Sequence, residues 1–186
     1  MKAFRTLLLL ALFGCASPEP AYFTLAPMPG PATGGGPALV ELRRPGLAGY
    51  LDRPEIVRAN SPYQLRMAGA ERWAEPFGDM VSRVLAEDLN ARLPGTSVFS
   101  STGAISAEAN ATLEIDIQRF DSDASGQVHL LVQIAVSHGR NRPPAATRTV
   151  HLTRAPTGGS TAELAAAMSA LLGQLADQIA AIIRAA

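Results

Sequence analysis

Two alternating apolar segments flanking a short turn constrain the fold of this chain more than any other feature. In "ATLEIDIQRF" (111–120), Leu113, Ile115 and Ile117 fall on one face, and Glu114, Asp116 and Gln118 on the other. In "QVHLLVQIAVS" (127–137), Val128, Leu130, Val132, Ile134 and Val136 share a face. A period of two marks a strand with one side buried. The intervening "DSDASG" (121–126) is made of turn formers, so the two segments read as an antiparallel pair.

The apolar face of that pair has to be covered, and the chain carries its own cover. After a Ser160–Glu163 capping box, Leu164, Met168, Leu171, Leu172, Leu175, Ile179, Ile182 and Ile183 follow at three- and four-residue spacing. A second helix is expected over roughly 75–93, with Pro76 in its first turn and Pro94-Gly95 ending it. Its apolar stripe is Phe77, Met80, Val81, Val84, Leu85 and Leu89.

Further short strands are read in "YFTL" (22–25), "ALVELRR" (38–44), "SVFSS" (97–101) and "TRTVHLTR" (147–154), with a hairpin around "NSP" (60–62). The Pro/Gly-rich residues 26–38 form a loop. The fold class expected is α/β: a single domain with a mixed, mostly antiparallel sheet and two main amphipathic helices packed on it. The last helix is read as a core helix. It offers fewer than four heptads for a coiled-coil seam, and its polar face carries only one positive residue, Arg184, for a membrane surface.

The beginning of the chain has a different character. Lys2 and Arg5 precede an unbroken apolar run from Leu7 to Phe13, then Gly14 and Cys15, the only cysteine. A charged start, a short apolar core and a small residue describe a secretory signal; the run is too short to span a membrane. A lone cysteine forms no internal disulfide. "LFGC" resembles the lipobox of bacterial lipoproteins, which implies cleavage between Gly14 and Cys15 and acylation of Cys15. The expected organisation is a signal segment over 1–14, a lipidated N-terminus and short tether over 15–21, and a domain over 22–186. Six extended residues reach only about 20 Å. Ala16 stands where an aspartate would signal inner-membrane retention, so outer-membrane sorting is expected.

Lys2 and Arg5 are the basic residues of the first 14, so their removal takes the formal charge from 0 to −2. Without a basic patch, nucleic acid is not an expected partner. The glycines at 34–36 lack the Lys-Ser/Thr of a phosphate loop. "GGST" (158–161) reads as a helix cap. His129 and His151 point away from the apolar faces of their strands as solvated neighbours, without a third metal ligand. Asp121 and Asp123 read as turn formers. No nucleophile elbow or other catalytic constellation is present, so neither an enzyme nor a cofactor is expected.

The distinctive residues lie elsewhere. "GYLDRPEIVR" contains Tyr50, Leu51, Asp52, Arg53 and Pro54; "ERWAEPF" contains Arg72, Trp73, Glu75 and Pro76. With the early "YFTL" and the cysteine motif, these segments resemble the ABC-type transport auxiliary lipoprotein family (PqiC-like), over essentially the whole chain beyond residue 14. The resemblance implies a non-catalytic component of an intermembrane lipid transport system. It would sit on the periplasmic face of the outer membrane and dock the end of an assembly of mammalian-cell-entry (MCE) domain proteins, as a ring-shaped homo-oligomer. Tyr50, Leu51, Arg53 and Trp73 are then expected in a structural corner or subunit contact, with Arg53 the foremost interface candidate. The alternative is a carrier that itself holds phospholipid in an apolar groove.

Overall fold

In chain order the secondary structure is β1 (Ala21–Phe23), β2 (Leu39–Leu42), β3 (Gly46–Leu47), β4 (Glu55–Ser61), β5 (Gln64–Trp73), α1 (Phe77–Arg92), β6 (Ser97–Ser100), β7 (Ala111–Ser122), β8 (Val128–His138), β9 (Ala146–Arg154) and α2 (Thr161–Ala185). These elements come from a computed structural model that describes residues 19–139, 144 and 146–185. The signal segment, Cys15 and the first part of the tether lie outside the described residues.

The sheet is organised around β7. One edge of β7 pairs antiparallel with β8 along its whole length, from Ala111 opposite His138 to Ser122 opposite Val128. β9 continues antiparallel beyond β8. The other edge is divided among three parallel partners in succession. β2 pairs over Ala111–Leu113, β3 over Asp116–Ile117, and β4 touches at Ser122 through Arg58. β6 extends β2, while β5 and then β1 extend β4. The sheet is therefore mixed, with the long ladders antiparallel and the short ones parallel, and it carries the two expected helices. The two-residue β3 is an element the sequence pattern does not announce.

The alternation in β7 breaks once. Ile117 pairs with Val132, but the next pair is Arg119 with Leu131, which leaves Gln118 as an extra residue. Such a bulge shifts the phase of the strand by one. Phe120 consequently turns into the core, 1% exposed, against Phe77 at a ring separation of 5.8 Å.

Both helices bury their expected stripes. α1 packs on α2 and β6, and α2 lies along β8, β9 and β1. α2 is long and apolar enough to cross a membrane by length and composition, but its apolar side is buried within the domain. The capping box forms: Ser160 N–H donates to Glu163 Oε2 at 3.0 Å, and Glu163 N–H donates to Ser160 Oγ at 3.3 Å. α1 begins two residues later than expected. Pro76 is its N-cap in an extended conformation (ψ 129), so Glu75 and Pro76 precede the helix. Glu75 instead receives the Arg83 guanidinium at 2.6 Å.

The Pro/Gly-rich loop is strapped across the two helices by Arg92, which is 1% exposed. Its Nη1 donates to Met28 O and Asp88 O, each at 3.0 Å, and its Nη2 to Gly173 O at 3.0 Å. Its Nε donates to Asp177 Oδ1 at 2.6 Å. Asp88 Oδ1 accepts the Met28 N–H at 2.7 Å. Burial raises the Asp88 carboxyl above its ordinary value, against the lowering pull of the Met28 N–H and Arg92. The strap needs close approaches: a Cβ on Gly30 would overlap the Arg92 guanidinium, and one on Gly173 would lie 2.8 Å from Met28 Cβ.

Truncating Arg92 strands buried acceptors and a buried carboxylate. Arg92→Ala should cost ~3–5 kcal/mol, measured as a lowered urea midpoint. Gly173→Ala should also destabilise. In an unobstructed helix the same change would stabilise by ~1 kcal/mol.

Candidate functional site

Three separated segments meet at the end of β1, the entry to β4 and the end of β5. Phe23 pairs with Trp73, and Glu55 with Arg72. Trp73 N–H donates to Pro54 O at 2.8 Å, and Ala74 N–H to Phe23 O at 2.8 Å. Before β4, Leu51 N–H donates to Ala48 O at 2.8 Å and Arg53 N–H to Leu51 O at 2.9 Å, folding "YLDRP" into tight turns. Proline then commits the chain to leave extended. The "YFTL", "YLDRP" and "RWAEP" segments thus build one corner.

Its floor is aromatic. Trp73, 6% exposed, stacks on Phe77 at 5.2 Å, and Phe77 leans on Phe120. Leu51 is buried beside them in the same core. At the rim, Asp52, Pro54 and Pro76 are exposed, while Arg53, Arg72 and Glu75 are half-buried. Glu75 is engaged with Arg83. Arg53 and Arg72 form no ion pair among the described residues, and the Nε of each is buried without a hydrogen-bond partner. Two cations lie within one corner, short of acceptors.

Tyr50 reaches the opposite side of this corner. Its hydroxyl donates to Asp121 Oδ2 at 2.6 Å, and Arg119 Nε donates to Asp121 Oδ1 at 3.0 Å. Asp121 is 3% exposed, which corrects its reading as a turn former. The bulge at Gln118 moves the strand's phase, and β7 runs on through Asp121. Burial, and secondarily the Asp121 carboxylate, raises the Tyr50 phenol well above its ordinary value.

Asp123 is the true turn former. Its Oδ1 accepts the Ser125 and Gln127 N–H groups at 2.9 and 3.1 Å. The Ser125 hydroxyl, then His129, hold its carboxyl well below the ordinary range. His129 is half-buried between Asp123, at 2.8 Å, and His151, at 3.3 Å, so it is less solvated than its strand position implied. A cleft of about 710 Å³ runs from Tyr50 past Asp121 to His129, walled by Leu65 and Leu131. No group of three metal-ligating side chains suited to an ion occurs among the described residues.

Arg92, Asp88 and Asp121 are the important polar residues that sequence reasoning missed. The signal for Asp121 was present: Ile117 and Phe120 stand three apart in an otherwise two-residue rhythm.

Tyr50→Phe should delete the most alkaline phase of the tyrosinate absorbance titration and destabilise by ~1–3 kcal/mol, because Asp121 loses a buried donor. A phenol raised on folding contributes fully below its unfolded value of 10.0 and loses that contribution as pH rises. The stability deficit of Tyr50→Phe should therefore shrink above pH 10.

Two solved structures share the fold. A protein described only as uncharacterized superposes with a TM-score of 0.75 at 19% identity, over 89% of this chain and 99% of its own. A Xanthomonas campestris protein of family model DUF330 gives a TM-score of 0.72 at 21% identity, over 90% and 95%. No curated protein matches the chain. The family model for the ABC-type transport auxiliary lipoprotein component matches residues 23–180, spanning the motif corner, strands β2 to β9 and most of α2. The chain belongs to the family of ABC-type transport auxiliary lipoprotein components.

Proposed function

We propose that this chain is a non-catalytic, lipid-anchored component of an intermembrane lipid transport system. In this reading, residues 1–14 are removed and Cys15 carries the acyl chains. Residues 15–21 leash the 22–186 domain to the periplasmic face of the outer membrane. There the domain, as a ring-shaped homo-oligomer, docks the far end of an MCE-domain assembly.

The observation that carries this reading is the corner of Arg53 and Arg72. A stacked floor and several backbone hydrogen bonds fix its backbone, yet the two arginines have no anionic partner among the described residues. A guanidinium binds a carboxylate in two places at once, which suits a contact with another subunit or protein. The space between helices and sheet favours a dock over a carrier. Phe77, Phe120, Leu85, Leu113, Leu171 and Leu175 fill it, each at 0–1% exposure. The clefts among the described residues lie outside that core, with lining that mixes polar and apolar groups.

Arg53→Ala and Arg72→Ala should reduce assembly size in light scattering or abolish co-purification with the MCE-domain partner, while the thermal midpoint changes little. Retention of both would remove the corner from the interface. Cys15→Ala should release the chain from the outer-membrane fraction; continued co-fractionation would overturn the anchor.

A further inference from the structure

The β4–β5 hairpin projects beyond the corner and has an unusual surface. Its two-residue tip is Pro62-Tyr63, between the paired Ser61 and Gln64. Tyr63 is 99% exposed, and Leu65 and Met67 are 41% and 42% exposed, three of the five large apolar side chains open to solvent among the described residues. From Ile56 to Ala70 the chain contains two arginines, Arg58 and Arg66, and no acid. These arginines are direct cross-strand partners, and neither forms an ion pair among the described residues. Like charges directly opposite one another destabilise a hairpin. Arg58 Nη2 donates to Thr161 Oγ1 at 2.7 Å. The exposed Arg66 has no side-chain partner among the described residues, so Arg66 is the one left for an external anion.

The direction of β1 says where that anion is found. β1 runs parallel to β5, with Ala21 beside Glu71 and Phe23 beside Trp73. Traced backwards from Ala21, the chain therefore heads along β5 towards the hairpin tip. Cys15 lies six residues before Ala21, a reach of at most about 20 Å. Along β4, the tip at Ser61 lies six residues beyond Glu55, which pairs with Arg72 at the level of β1. At ~3.3 Å per residue, that is also about 20 Å on the same side. A bilayer anchored within that reach of Ala21 on this side is also within reach of the tip.

We infer that the hairpin tip is a second membrane contact. Tyr63, Leu65 and Met67 enter the headgroup–acyl boundary, and Arg66 takes up a lipid phosphate. This rests on the anchor reading given above. Tyrosine is suited to that depth because its ring is apolar and its hydroxyl polar.

The test uses the full lipidated chain carrying Tyr63→Trp, in phosphatidylethanolamine–phosphatidylglycerol vesicles with dibrominated acyl chains. Flotation of the vesicles reports attachment independently. The parent chain, whose single tryptophan is the buried Trp73, supplies the background. The introduced indole should shift to the blue and lose about twofold in intensity, as expected for a ring ~5–10 Å into the boundary. Adding Arg66→Gln should weaken that quenching in anionic vesicles and leave it unchanged in phosphatidylcholine. Flotation with an unquenched, water-like indole overturns the hairpin contact and leaves the anchor standing. An indole that is blue-shifted but insensitive to bromine, and that reverts on dilution, overturns the contact by assigning the tip to a second copy. Failure to float overturns anchor and hairpin contact together.

Discussion

The fold depends on one strand whose two edges are used differently. β7 gives its whole length on one side to β8, the longest ladder in the sheet. On the other side it is shared by β2 and β3, each too short to persist alone, and touched at one residue by the longer β4. A strand of two to four residues forms few ladder hydrogen bonds and gains little from its own pairing. Those segments take their positions because β7 is already fixed, by β8 behind it and by the apolar faces of both helices. The corner formed by residues 49–55 and 71–77 inherits its geometry from the last of these attachments.

The bulge at Gln118 ties that framework to the corner. A single extra residue turns Phe120 towards Phe77, which carries the Trp73 stack, and brings Asp121 to Tyr50. One local irregularity therefore joins the aromatic floor to the polar rim. The buried carboxylate is satisfied by a phenol and a guanidinium, the arrangement a buried charge requires.

Much of this was legible in the sequence because burial writes a period. The alternation at 111–117 and 128–136, the stripes of both helices and the Ser160–Glu163 box all correspond to features seen in space. What escaped was decided by contacts distant along the chain. Arg92 sits at the end of α1 like a solvated helix-end charge, and only the return of residues 26–36 over it makes it a buried hub. Gly173 looks like a weak point in a helix until Met28 is seen against it. β3 is too short to show any period. Arg53 and Trp73 were singled out as motif residues, but their different situations, one half-buried at the rim and one in the floor, follow from a strand pairing that the sequence does not spell out.

The parallel pairing of β1 with β5 has a mechanical consequence. A pull on the segment ahead of Ala21 acts along the strand axis, so the hydrogen bonds to β5 are loaded together in shear rather than opened one after another. Behind them the pull meets Leu25 in the core, the Ala26 N–H on Ser169 and then the Met28 clasp on Asp88 and Arg92. Tension entering at this end of the chain is thereby spread over the sheet edge and both helices before any single element has to yield.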